Sequence, residues 1–252
     1  MIIEQFHPVR VRVHFICRLA VALGVVVGVF GVAATAGEAA GSICRSAPLT
    51  FNPADFVVNG NPIPITNQFF PLTPGSVYTY EGAGEREVVS VTGQRTAING
   101  VSTQVVSDIV EDAATGARIE TTTDYFAQDV RGNVWYFAED TLENQTGSRA
   151  GTWRSGVDGT SAGIIMEANP EPGDSYRQEF APNARFGPAL DFGTVQSKNA
   201  TVTVPAGTFT NTLNTRDGSC VEGGFEDKYY ARGVGLVLTT KGNARLELIR
   251  KR

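Results

Sequence analysis

Short runs rich in valine, threonine and aromatic residues follow one another from position 76 to the C-terminus. Glycine, asparagine, aspartate or proline fills nearly every gap between them, which is the pattern of strands joined by tight turns. No long window has apolar residues at helical spacing. The sequence therefore predicts an all-β fold, an antiparallel sheet of roughly ten strands in a barrel or a clam-like sandwich.

Two turns in the later part of the chain predict hairpins. In TVTVPAGTFTN, Pro205 presets the backbone for a tight turn and Gly207 relieves its closing residue. In the C-terminal stretch GVGLVLTTKGNARLELIRK, residues 241–243 form the bend. Each pair of flanking runs is expected to be antiparallel.

The N-terminus has the pattern of a secretory signal peptide. Arg10, Arg12 and Arg18 precede an apolar run from Leu19 to Ala36 that ends in Ala-Thr-Ala. Small residues at these positions are what signal peptidase requires, so we expect residues 1–36 to be removed near Ala36. An uncleaved anchor is the alternative, because the run is close to the length that spans a bilayer.

Removal of this segment would leave an acidic chain without histidine. It takes away three arginines and one glutamate, which changes the net formal charge from −5 to −7, together with both histidines, His7 and His14. An acidic chain without a basic cluster is a poor partner for nucleic acid, and no stable membrane span would remain. The mature protein is thus predicted to be secreted, periplasmic or in the cell envelope.

The missing imidazoles exclude several kinds of chemistry. Ser-His-Asp and Cys-His nucleophile systems cannot exist without histidine, and neither can zinc or copper sites built on it. Acidic pairs such as Glu111-Asp112 and Glu226-Asp227 lack the spacing of a calcium loop, and GVGL at 233–236 precedes a strand rather than a helix. We therefore expect no metal and no cofactor.

Cys44 and Cys220 are the cysteines that remain after cleavage, and in an exported chain they predict one disulfide. It would connect residues 176 positions apart.

Between the predicted cleavage site and the first strand, residues 37–75 form a segment rich in proline and asparagine that is expected to be extended. Residues 76–252 are expected to form a single β domain.

The stretch DYFAQDVRGNVWYFAED, residues 124–140, predicts a hairpin with Gly132 in its turn. Asp129 opposite Asn133 sets the register, which pairs Tyr125 with Phe137 and Asp124 with Ala138 further along. One face then carries Tyr125, Ala127, Trp135 and Phe137 and is expected to be core.

The other face of this hairpin mixes aromatic rings with polar groups. It is predicted to carry Asp124, Phe126, Gln128, Val134, Tyr136 and Asp140. One interpretation is a solvated outer face with a stabilising Phe126–Tyr136 pair. The other is the wall of a ligand site inside a barrel or between sheets, formed by Asp124, Phe126, Gln128, Tyr136 and Asp140.

Carboxylates on this face also suggest a catalytic alternative. Asp124 and Asp140 would be diagonal neighbours about 7–8 Å apart, within the range that glycosidases use for acid and base. Glu139 is a further candidate. The same spacing arises on any acidic strand pair, so these three residues are weak catalytic candidates.

Four stretches carry a resemblance to a family: DYFAQDVRGNVWYFAED, GVDGTSAGIIMEANPEPGDSYRQEF, VTVPAGTFTN and KYYARGVGLV. Together they resemble members of a bacterial exported-protein family of unknown function, over roughly residues 124–237. The resemblance implies export and an all-β fold. It brings no catalytic or binding residues.

Three functional hypotheses follow. The leading one is a non-enzymatic exported β domain that binds a small or amphiphilic ligand, such as a lipid or glycan, between its sheets. The second is an extracellular carbohydrate-active enzyme that uses Asp124 with Asp140 or Glu139. The third is a structural or cell-surface interaction protein without a cavity.

Overall fold

A computed structural model describes residues 41–252 of the protein. Residues 41–45 are helical, and Pro53–Phe56 form a short 3-10 helix with Asn52 as its N-cap. The strands of this part of the chain are β1 (Val57–Val58), β2 (Asn61–Pro62), β3 (Val77–Gly82), β4 (Glu85–Ile98), β5 (Val101–Asp112), β6 (Arg118–Gln128), β7 (Val134–Glu143), β8 (Trp153–Arg154), β9 (Ser161–Met166), β10 (Ser175–Arg177), β11 (Glu179–Phe180), β12 (Asp191–Val204), β13 (Gly207–Ser219), β14 (Phe225–Ala231), β15 (Gly235–Lys241) and β16 (Ala244–Lys251).

The predicted all-β, antiparallel fold is confirmed. There are more strands than the roughly ten expected, because several have only two or three residues. The predicted signal peptide lies outside the described residues, and the proposed domain limits remain a prediction.

The sheet is a nearly closed barrel. Strands pair in the order β3, β4, β5, β6, β7, β9 on one side and β12 to β16 on the other, and β16 returns to pair with β3. Residues 175–180 join the two remaining edges, because β10 pairs with β12 and β11 pairs with β9. Every strand pairing is antiparallel, so consecutive strands run up and down around the barrel.

Turns in such a meander alternate between the two ends of the barrel. One end, which we call the groove end, carries the connections β3–β4, β5–β6, β7–β9 and β11–β12. The other, which we call the plugged end, carries β4–β5, β6–β7, β9–β10 and β14–β15. The predicted hairpins β12–β13 and β15–β16 are both present, with Val204 opposite Gly207 and Lys241 opposite Ala244.

Residues 65–72, the plug, close one end with apolar side chains. Ile65, Phe69, Phe70 and Leu72 are buried there against the main core. Asn67 fixes the plug through its side-chain amide, which donates to the Gly132 and Glu167 carbonyls at 3.0 and 2.9 Å. The plug belongs to residues 37–75, the segment predicted to be extended, and it brings the end of that segment into the barrel.

Residues 41–58, the arm, cover the outer surface of the sheet. Phe51 and Phe56 pack edge-on against Phe137, with ring centroids 5.1 and 5.4 Å apart. The predicted Cys44–Cys220 disulfide is present and connects the arm to the β13–β14 turn. The apolar outer surface around Phe137 is therefore buried because the arm covers it.

The hairpin of β6 and β7 forms as predicted at its turn and differs further along. Asp129 and Asn133 are hydrogen-bonded, and Phe126 lies opposite Tyr136. A bulge at Phe137 then shifts the register by one residue, so Asp124 lies opposite Glu139. The predicted pairs Tyr125–Phe137 and Asp124–Ala138 are therefore wrong.

The bulge moves Asp140 to the other face. It pairs with Thr123 on the outside of the barrel, whereas Asp124 and Glu139 face the interior. The mixed face predicted for this hairpin is not solvated, since Asp124, Phe126 and Tyr136 are almost completely buried.

Candidate functional site

A groove of about 210 Å³ opens on the surface at the groove end of the barrel. Two connections form it, one between β7 and β9 and the other between β11 and β12. Its walls are Asp140, Thr152, Trp153, Arg154, Val157, Asp158, Thr160, Ala184, Arg185 and Phe186. Aromatic and aliphatic surface thus adjoins charged and hydroxyl groups, as in small-molecule sites generally.

Arg154 is held in place on one side of the groove. Its guanidinium lies 3.4 Å from the Asp140 carboxylate and 5.1 Å from the centre of the Tyr125 ring. The Tyr125 hydroxyl donates to the same carboxylate at 3.2 Å. Thr160 donates to the Arg154 carbonyl and so ties the loop back on itself.

Phe186 forms the opposite wall and carries two guanidinium groups. Arg185 lies 5.4 Å and Arg149 lies 6.0 Å from the centre of its ring. Both distances are within the range of a cation–π contact. These contacts restrict an exposed ring and two long side chains that would otherwise be mobile.

Trp153 separates the groove from the barrel interior. It belongs to the groove wall, and its ring packs edge-on against Tyr136 with 5.2 Å between the centroids. Its indole N–H is buried and has no hydrogen-bond acceptor within residues 41–252. Buried donors are nearly always paired, so this N–H is an exception that a bound group could satisfy.

Behind Trp153, Tyr136 connects two carboxyl groups. Its hydroxyl donates to Asp124 at 2.6 Å and lies 3.0 Å from a Glu139 oxygen. Burial, and then the nearby Glu139 charge, raise the pKa of Asp124 well above its usual value. Burial likewise raises the pKa of Tyr136.

Further carboxyl groups face the same half of the interior. Asp217 accepts from Gln178 at 3.0 Å and lies 3.2 Å from the Lys228 ammonium, and Glu226 lies 3.7 Å from that of Lys241. The buried carboxyl side chains of this half are Glu85, Glu87, Asp108, Asp124, Glu139, Glu179, Asp191, Asp217 and Glu226. The half towards the plug is apolar instead.

The predicted site residues are divided among three places. Asp124 and Tyr136 lie in the buried cluster with Glu139, and Asp140 lines the groove. Phe126 stacks on Tyr136 in the core at 4.9 Å. Gln128 accepts from the backbone N–H groups of the plug, and so has a structural role in holding it.

The weak catalytic candidates do not form an open acid–base pair. Asp124 and Glu139 are only 1% and 3% exposed, and Trp153 lies between their tyrosine partner and the groove. Asp140 is on the other face of the sheet and paired with Arg154. A glycan could reach the buried pair only if the Trp153 ring moved.

Several groove residues could not be identified from the sequence. Arg185 and Phe186, and Arg149 beside Phe186, stand in irregular segments without a recognisable motif. Trp153 is a buried core residue as well as part of the wall. The two loops that form the groove are far apart in the sequence. They come together only because residues 175–180 close the barrel, so the sequence alone does not show that they share a groove.

Within residues 41–252, no group of three or more histidine, cysteine, aspartate or glutamate side chains is arranged to hold a metal ion. The same part of the chain has no helix long and apolar enough to cross a bilayer.

Known proteins offer no functional assignment for the chain. No protein-family model matches the chain, and no curated protein matches it. Among solved structures, it is similar to a putative lipoprotein from Parabacteroides distasonis, with 14% identity, coverage of 74% of this chain and 99% of that chain, and a TM-score of 0.37. Function therefore has to be argued from the site itself.

Proposed function

We propose that the protein is an exported, non-enzymatic β domain that binds a small amphiphilic ligand in the groove. The observation that carries the proposal is the composition of the groove walls. Apolar surface of Val157 and Phe186 adjoins the guanidinium groups of Arg154 and Arg185. A ligand with an apolar part and a polar part fits such walls.

Preorganisation supports binding at this place. Asp140 and Tyr125 hold the Arg154 guanidinium, and Phe186 restricts that of Arg185. Side chains that are already ordered lose less conformational entropy when a ligand arrives, which favours affinity.

The size of the groove limits the ligand. Drug-sized molecules occupy sites of about 300–1,000 Å³, and this groove has about 210 Å³. We expect a ligand, or a ligand part, of the size of one aromatic ring with a polar group. A long lipid chain would have to extend beyond the groove.

Catalysis is the weaker alternative. The paired carboxyls Asp124 and Glu139 and the raised pKa of Asp124 are features that acid–base enzymes use. Their burial behind Trp153 favours a structural role, since a catalytic carboxyl must reach its substrate.

The disulfide supports the location outside the cytosol. Cys44 and Cys220 are bonded, and such bonds persist in oxidising compartments. The ligand would then be a compound that the cell meets or handles at its envelope or beyond it.

The indole N–H signals of the two tryptophans test the proposal by NMR. Small-molecule extract from the protein's own host is added to ¹⁵N-labelled protein. We expect the Trp153 signal to shift, because its ring lines the groove, and the Trp135 signal to stay, because its N–H is bonded to Asp129 at 3.0 Å.

A groove-filling variant provides the control. Ala184→Phe places a ring where Ala184 lines the groove, and Ala114→Phe places one on an exposed turn. The shift should be lost in the first variant and kept in the second. An unchanged Trp153 signal in the wild type would refute the proposal and leave a structural or interaction role.

A further inference from the structure

We propose further that the groove selects an oxyanion, a carboxylate or a phosphate, attached to an apolar or aromatic group, and that Arg185 and Arg149 bind it. This inference rests on the proposed function, to which it adds the chemical class of the ligand. It starts from the guanidinium pair on Phe186.

Neither guanidinium has a counter-ion in the described part of the chain. Arg185 and Arg149 contact the Phe186 ring, and neither guanidinium makes an ion pair or a hydrogen bond with any group of residues 41–252. Two other arginines at this end differ. Arg154 is paired with Asp140, and Arg216 with Asp227.

Arg149 and Arg185 are exposed, so water and salt screen much of the repulsion between their guanidinium groups. Their N–H groups are also accessible to a ligand, and a guanidinium presents them in a fork that matches carboxylate or phosphate oxygens. A bound oxyanion would form charge-assisted hydrogen bonds with the pair and remove the remaining repulsion.

The groove wall carries two arginines and two aspartates, and Arg149 beside Phe186 adds one further positive charge. Arg154 and Asp140 neutralise each other at 3.4 Å. Asp158 is the other acidic residue in the wall, and it stands on the β8–β9 loop rather than on the loop that carries Arg185. The surplus positive charge therefore lies at Phe186, where Arg185 and Arg149 stand together on a chain with a net formal charge of −5.

The apolar part of the ligand has its own partners. Val157 is 48% and Phe186 is 38% exposed, and both line the groove. Exposed apolar side chains that converge on one groove provide a surface that a ring or a short alkyl group can cover.

Four probes of one ring size test the inference. Phenylacetate and phenyl phosphate carry the oxyanion, phenylacetamide is the neutral analogue, and phenethylamine carries a positive charge. Each is titrated into ¹⁵N-labelled protein, and the dissociation constant is read from the Trp153 indole signal. We expect at least one anion to bind ~10-fold or more tighter than phenylacetamide, and phenethylamine to bind most weakly.

Substitutions assign the effect to the two arginines. Arg185→Gln and Arg149→Gln should each reduce anion affinity and leave phenylacetamide binding nearly unchanged. Arg118→Gln makes the same charge change at an exposed position of the groove end and should alter neither. Anion binding that survives both groove substitutions would overturn the inference.

The outcomes separate the inference from the proposed function. Equal binding of phenylacetate, phenyl phosphate and phenylacetamide, or tightest binding of phenethylamine, would refute the anion site and keep the groove as a binding site. If no probe and no host extract shifts the Trp153 signal, both proposals fail. The tighter of the two anions would show which head group the site prefers.

Discussion

Single carboxyl groups inside the barrel determine how its stability depends on pH. Burial raises the pKa of Glu87 from 4.5 to about 8. Asp108 and Lys228 lower this pKa, while Glu85 and Glu120 raise it further. Burial dominates because the charged form loses its hydration in the interior.

Glu87→Gln should therefore weaken the pH dependence of stability. Between its pKa of 4.5 in the unfolded chain and about 8 in the native state, the folded protein retains a proton that the unfolded chain releases. The free energy of unfolding of the wild type thus falls as the pH rises through this window. The variant has no such proton, and should gain on the order of 4 kcal/mol over the wild type above about pH 8.

Urea unfolding at a series of pH values measures this difference. Glu81→Gln is the matched control, since Glu81 is exposed on the neighbouring strand and pairs with Arg86 at 3.7 Å. It should leave the slope unchanged. A Glu87→Gln variant with the wild-type slope would show that Glu87 is not a buried proton donor.

Tyr136→Phe should destabilise the protein through its two carboxyl partners. The hydroxyl that donates to Asp124 and contacts Glu139 is lost, and a buried acceptor without its donor costs about 1–3 kcal/mol. Tyr229→Phe is the control, because the described residues offer the Tyr229 hydroxyl no hydrogen-bond partner. Equal urea midpoints for the two variants would contradict the assigned network.

The plug depends on contacts from the β6–β7 hairpin. Gln128, predicted as a ligand residue, accepts from the N–H groups of Thr66 and Asn67 at 2.9 and 2.8 Å. Strand alternation predicted correctly that Gln128 shares a face with Phe126 and Tyr136, but left open whether that face is interior. The partner of Gln128 was not predicted, since the plug lies more than 60 residues away in the chain.

Gln128→Met should loosen the plug without affecting the groove. The buried N–H of Asn67 and the partly buried N–H of Thr66 would lose their acceptor. The loss should cost about 1–3 kcal/mol for the buried group and speed amide exchange at both residues. Gln196→Met, at an exposed position of β12, should change neither. If Gln128→Met instead preserved stability and abolished the Trp153 response to ligand, the predicted binding role would be favoured over the structural one.

For the molecule as a whole, the local sequence pattern predicted the all-β class of the fold and the positions of turns. Both depend on side-chain alternation and turn chemistry, which act over a few residues and are therefore visible in the sequence. The bulge at Phe137 was not predictable in this way. It accompanies a strand, β7, that pairs with β6 on one side and with both β8 and β9 on the other. The arm, the plug and the groove likewise depend on contacts between distant segments.

The disulfide ties these distant segments together. It closes a loop of 176 residues, for which the chain-entropy model gives a ceiling of about 5 kcal/mol. Replacing Cys44 and Cys220 by alanine should lower the unfolding midpoint and speed hydrogen exchange first in the arm, at residues 41–50. Reductant should have the same effect on the wild type and no effect on the variant. Equal protection of the arm in the oxidised and the reduced wild type would show that the disulfide does not hold the arm in place.

Native mass spectrometry of the protein, purified from its own host, tests the central claim that the groove holds a small molecule. The wild type and Ala114→Phe should each carry a small adduct, and Ala184→Phe should not. A wild-type protein at the bare mass of its chain, or the same adduct on Ala184→Phe, would contradict the account.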